Sequence, residues 1–118
     1  MLKREFRLKK KSAFKATYRA QNSVHYHGIT LFAGKLKKED YPVKVGFVVS
    51  KKTHKRAVRR NRLRRLMRES FRLLQKSGDI GNGDNFISLI FVGHERALGK
   101  SFKEIDTIIR KLLGDLKC

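Results

Sequence analysis

The sequence predicts an α+β fold, a small mixed β-sheet packed with three helices, formed as one domain. Three observations carry the prediction. Residues 56–75 contain no Gly or Pro and are rich in Arg, Leu and Met, all good helix formers. Residues 24–36, 43–50 and 86–92 have strand lengths and are dense in β-branched, aromatic and aliphatic side chains. From Phe102 to Leu116 apolar residues recur at helical spacing. A chain of 118 residues, 40% hydrophobic and with eight Phe, has enough apolar material for one core.

Taken in order, residues 1–11 form a basic, flexible N-terminal segment of this single domain. Ser12 is placed to N-cap a short helix over residues 13–20. In that helix Phe14 and Tyr18 stand four apart and share a face, flanked by Lys11, Lys15 and Arg19. Core packing and a stacking platform for single-stranded nucleic acid both fit this pair. Residues 24–36 read as a strand interrupted by Gly28 and Gly34, with Thr30, Phe32 and Gly34 on one side. Residues 37–42 make a turn, and residues 43–50 return as the second strand of a hairpin. The central helix stops in the turn-rich residues 77–85, with Gly78 as its left-handed C-terminal residue. Residues 86–92 suit an inner strand. Ser101 and Glu104 form a capping box that opens the closing helix, whose apolar face is Phe102, Ile105, Ile108, Ile109, Leu112, Leu113 and Leu116. The break in residues 24–36 allows two or three strands before the central helix; with three, the element order is αβββαβα.

Thirty Lys and Arg against ten Asp and Glu leave a net charge of +20. A charge of that size calls for a polyanionic partner, bound with release of counterions. A membrane is the poorer partner: no apolar run reaches about 18 residues, and the basic helix has no Trp-bearing insertion face. The opening MLKREFRLKKK lacks the apolar stretch of a secretory signal, and the single cysteine, Cys118, has no partner for a disulfide. A cytoplasmic location is expected.

The charge is concentrated. From Lys51 to Arg72 there are eleven Lys or Arg and one acid, Glu69. On a helix, Leu63, Leu66, Met67, Phe71 and Leu74 gather on one arc, and Asn61, Arg64, Arg65, Arg68 and Arg72 on the opposite one. Only Arg65 and Glu69 are spaced as an i,i+4 ion pair, so this ridge does not neutralise itself. From Asn61 to Arg72 it runs about 16 Å, long enough to meet several phosphates of one strand. The planar guanidinium fork holds two phosphate oxygens at once, and Asn61 adds a donor and an acceptor for a base edge or a 2′-OH. Arg59 and Arg60 project onto the apolar arc and escape burial only if the first turn runs past the sheet edge.

Catalytic groups are absent from this pattern. The acids are scattered over turns and helix faces, without the carboxylate cluster of a two-metal nuclease. No Ser-His-Asp or Cys-His arrangement stands out, and Gly81-Asn82-Gly83 lacks the strand and helix context of a phosphate-binding loop. His25 and His27 fall on one side of their strand without a third ligand, and read as surface or RNA-contacting side chains.

Ser50-Lys51-Lys52, then Ala57-Val58, Arg60-Asn61-Arg62, Arg64-Arg65-Leu66 and Arg68-Glu69, resembles the signature of the bacterial ribonuclease P protein family. The length of the chain fits, and its outer thirds match more loosely. The resemblance implies a protein cofactor that is inactive alone and binds no cofactor of its own. Its RNA subunit performs the chemistry with Mg²⁺, removing the 5′ leader of precursor tRNA. The implied partners are the ribonuclease P RNA and the precursor tRNA leader, with neither DNA nor a membrane. Lys51, Lys52, Arg60, Asn61, Arg62, Arg64, Arg65 and Arg68 would then dock RNA, while Phe14, Tyr18 and Phe32 line a groove for the leader. The family also implies a left-handed βαβ crossover through the central helix, against the general right-handed rule, in a fold shared with a domain of a ribosomal small-subunit protein. Where the family often places basic residues after the last strand, this chain has the nearly neutral Gly93-His94-Glu95-Arg96, and no RNA contact is assigned to that edge.

Two other classes share the composition. An architectural ribosomal protein would bind RNA with no preference for a leader. A helix-turn-helix DNA binder needs another helix a short turn before the basic one, where this sequence has a strand.

Overall fold

Five of the six residues of strand β4 (Ser88–Gly93) are buried, and it pairs on both sides, as an unbroken apolar run should. The structure, a computed structural model, describes residues 4–117; residues 1–3 and Cys118 lie outside them. After a 3-10 turn at Arg4–Phe6 come α1 (Lys11–Arg19), β1 (Asn22–Tyr26), β2 (Ile29–Ala33), β3 (Lys44–Val48) and α2 (Ala57–Ser77). A 3-10 turn at Gly81–Asn85, β4, another at Glu95–Ala97 and α3 (Phe102–Asp115) complete the chain. The four strands form one sheet in the order β1-β2-β4-β3; β1/β2 and β2/β4 are antiparallel and β3/β4 parallel. The predicted α+β class, mixed sheet and αβββαβα order stand.

Strand pairing corrects the sequence reading at two points. Residues 24–36 are not one interrupted strand: the chain reverses at His27 (φ 44°) and Gly28 (φ 92°) into a β1–β2 hairpin. Positive φ at both central residues matches the twist of the flanking strands, and a Cβ on Gly28 would lie 2.7 Å from the Ala97 nitrogen. Residues 43–50 do not turn back on β2. Strand β3 instead lies parallel to β4, reached through α2, and β2 takes the other side of β4.

The first helix begins at Lys11, with Lys10 as a cap residue that makes no side-chain bond; Ser12, the expected cap, is already inside it. The segment predicted to be flexible is laid along the sheet where it is described. Arg7 bridges Val45 in parallel, the Leu8 amide donates to the Val45 carbonyl at 2.9 Å, and the Leu8 side chain is buried. These bonds cover part of the free edge of β3.

Side-chain alternation divides the sheet. Ile29, Leu31, Ala33, Val45, Leu89 and Phe91 face a core completed by Leu63, Met67, Phe71 and Leu74 of α2 and by Ile105, Ile108, Ile109, Leu112 and Leu113 of α3. Phe47 stacks on Phe91 with centroids 5.6 Å apart, and Phe71 meets both rings. The Ser101 capping box is formed, and Gly78 closes α2 with φ 79°. Among the described residues, α1 is the helix that packs on the opposite face of the sheet.

Candidate nucleic-acid interface

The groove starts with small residues. Gly34, Ser88 and Gly46 lie on the sheet face turned away from the core, and α1 settles onto them. A Cβ on Gly46 would come 2.6 Å from the Phe14 ring, and Thr17 meets Ser88 through a buried hydroxyl pair. Close approach of α1 leaves Phe14 half-buried against β3 and sets Tyr18 edge-on to Phe32, with centroids 4.9 Å apart at 81°. Tyr18 remains exposed, and partial burial raises its phenol above its ordinary range, keeping it neutral. The three predicted aromatics therefore line the face between α1 and the sheet.

The ridge on α2 is built as predicted along most of its length. Asn61, Arg62 and Arg65 are exposed, while Arg64, Arg68 and Arg72 are half-buried. Some side chains are already engaged. Arg64 donates to the Asn61 carboxamide oxygen at 2.7 Å, leaving the Asn61 amide nitrogen for a ligand. Arg62 donates to the Lys100 carbonyl at 3.2 Å and ties α2 to the segment before α3. Glu69 pairs with Arg72 rather than Arg65, through two bonds of 2.5 and 3.1 Å that hold its carboxyl below the usual range. This leaves Arg65 clear of the acid expected to pair with it.

Arg60 is corrected. It is 8% exposed, and its guanidinium donates to the His54 carbonyl at 3.1 Å. Its position on the apolar arc buries it after all, and the His54 carbonyl gives one of its guanidinium donors a partner there. It fixes the loop into α2 instead of presenting a cation. Arg59 beside it is exposed, as are Lys51 and Lys52 on the turn that follows β3.

Groove and ridge meet. Arg68 of α2 lines the same open cavity, about 260 Å³, as Phe14 of α1, together with Arg7, Leu8, Val45, Gly46 and Phe47. The two elements reach one another around the short edge strand β3. Sequence spacing could not show this junction, because 54 residues separate Phe14 from Arg68. Arg7, carried to the junction by the β3 bridge, was also not assigned to the site from sequence.

At the far end of the same sheet face, His25 and His94 each hydrogen-bond the Thr30 hydroxyl. His27 leaves the strand in the hairpin turn and contacts Arg96 instead, so the two early histidines do not act as a pair. Among the described residues, no three His, Cys, Asp or Glu side chains gather into a group that could hold a metal ion. No helix among them is long and apolar enough to cross a membrane.

The family model described as Ribonuclease P matches residues 2–117. The ribonuclease P protein component of Clostridium kluyveri is 33% identical over 108 residues, covering 92% of this chain and 91% of that protein. The component from Gluconacetobacter diazotrophicus is 32% identical over 99% of this chain and 90% of its own length. Solved RNase P proteins from Thermotoga maritima (TM-score 0.77, 22% identity, covering 95% of this chain and 98% of that one) and Staphylococcus aureus (TM-score 0.75, 24%, 100% and 98%) share the fold. The chain belongs to the ribonuclease P protein family.

Proposed function

We propose that this chain is the protein subunit of ribonuclease P, binding the catalytic RNA and holding the 5′ leader of precursor tRNA while the RNA cleaves. One observation carries the reading: an aromatic groove opens directly beside an arginine helix, with Arg68 and Phe14 on a common wall. A single strand has unstacked bases that can lie on rings while its phosphates meet guanidinium groups; an RNA duplex offers no free base faces. The groove therefore favours the unpaired leader over the folded tRNA body.

In this reading Lys51, Lys52, Asn61, Arg62, Arg64, Arg65 and Arg68 hold phosphates and lower the repulsion between two large RNAs. Phe14, Tyr18 and Phe32 position the leader. Magnesium ions supply the cleavage chemistry within the RNA subunit, and this chain contributes binding and placement. The architectural alternative is not favoured, because the relatives across most of the chain are ribonuclease P protein components.

Reconstitution tests the proposal. At a Mg²⁺ concentration too low for a bacterial ribonuclease P RNA to act alone, adding the protein should restore 5′ cleavage of a precursor tRNA. No restoration with several cognate-type RNAs, despite tight binding, would overturn it.

A further inference from the structure

We propose that His25, Thr30 and His94 form a proton-linked phosphate subsite at the end of the groove, taking a phosphodiester of the same single strand. The inference rests on the groove reading above and extends it along the sheet. Thr30 lies two residues from Phe32 on β2, about 7 Å along the strand and on the same face. It pairs across to His25 on β1 and to Val92 on β4, and His94 follows β4 directly. The His25 Nδ1 is 2.8 Å and the His94 Nε2 is 3.0 Å from the Thr30 Oγ1, and the two rings are 5.7 Å apart.

A hydroxyl has one hydrogen. With both imidazoles neutral, Thr30 donates to one ring and accepts an N–H from the other. When the accepting ring gains a proton, both rings donate into the Thr30 oxygen, and the hydroxyl hydrogen must turn to another acceptor. A phosphate oxygen is such an acceptor, and its charge favours the protonated ring. The Thr30 hydroxyl and the far nitrogen of the protonated ring then both donate outward, a pairing that suits the oxygens of a phosphodiester, while the neutral ring keeps one accepting nitrogen.

The surroundings fit a conditional cation. His27 and Arg96 are bonded to each other at 3.1 Å, Lys51 and Lys52 stand on the turn after β3 at the same end of the sheet, and Glu95 is next to His94 in the chain. Partial burial, and then the charge of His25, hold the His94 imidazole below its ordinary value near 6.5. The free His94 ring is thus neutral at pH 7, and a bound phosphate favours its protonated form. Binding and protonation must favour one another by linkage.

Binding of a short single-stranded oligoribonucleotide, read by fluorescence anisotropy at constant ionic strength, tests this. Between about pH 8 and pH 5.5 the wild-type affinity should rise about fivefold more than that of the His25→Gln/His94→Gln double variant. On the unmutated protein, the NMR titration midpoint of His94 should move up when the oligoribonucleotide is added. Equal pH slopes in wild type and variant, or a midpoint that RNA does not move, overturn the subsite. Phe32→Ala at pH 8 separates the two levels. If it weakens binding while the histidine results are negative, the groove stands and the subsite falls. If it binds like wild type, the groove reading itself has failed.

Discussion

The hydroxyls of Thr17 and Ser88 meet at 2.6 Å in a buried contact, joining α1 to the inner strand β4 across 71 residues of chain. Thr17 donates its hydrogen to the Ala13 carbonyl at 2.7 Å, so Ser88 is the donor of the pair. The bond sets the height of α1 above the sheet and with it the width of the groove. Thr17→Val leaves the Ser88 donor buried without a partner, and should lower unfolding free energy by about 1–3 kcal/mol in urea titration. Adding Ser88→Ala should recover part of that loss; additive losses would show the two hydroxyls to be independent.

Gly46 controls the same wall from below. In Gly46→Ala the new methyl would sit 2.6 Å from the Phe14 ring, so the ring tip must swing away. The stability cost should be near the low end of overpacking, about 1 kcal/mol. Affinity for a single-stranded RNA should fall more clearly, because the ring leaves its place at the junction with Arg68. Unchanged RNA affinity in equilibrium titration would show that the ring does not contribute to binding.

Arg65 and Arg60 are five residues apart in the motif but differ in role. Arg65 is exposed, so Arg65→Ala should leave unfolding free energy within about 0.5 kcal/mol while lowering the slope of log K against log salt by about one. Arg60→Ala, which removes the bond to the His54 carbonyl from a buried site, should cost about 1–3 kcal/mol of stability. Paired denaturation and salt titrations distinguish them, and the reverse pattern would contradict the assignment.

Two carboxylates make stability depend on acid. Glu104 is held below its ordinary value near 4.5, first by the Ser101 backbone N–H and then by the Ser101 side chain; Glu69 is lowered by its hydrogen bonds from Arg72. Because the folded values are depressed, their contribution is present above pH 4.5 and is lost as pH falls through the lower folded values. Thermal midpoints should therefore fall below pH 4.5, and Glu104→Gln should flatten that fall. An identical acid profile in the variant would remove Glu104 from the account.

Elements specified by local chemistry were legible in the sequence. The unbroken α2, the capping box at Ser101, the left-handed Gly78 and the apolar β4 each depend on neighbours a few residues away. Features set by partners far along the chain were not. His27-Gly28 is not one of the usual hairpin pairs, so the β1–β2 turn was hidden inside what looked like one strand. A strand with apolar residues on both faces does not reveal every partner: the expected crossover unit of β3 and β4 formed, but the hairpin with β2 did not, because β2 takes the other side of β4. The ridge and the aromatics were visible separately; their meeting at Arg68 and Phe14, and the burial of Arg60, depend on how α2 crosses the sheet.

The most direct test of the central claim is the affinity of the reconstituted complex for precursor tRNA relative to mature tRNA, measured for wild type and Phe14→Ala. If the groove holds the leader, wild type prefers the precursor, and the variant loses affinity for the precursor while binding mature tRNA as before. Equal losses for both RNAs would contradict a leader groove and leave the aromatics as packing alone.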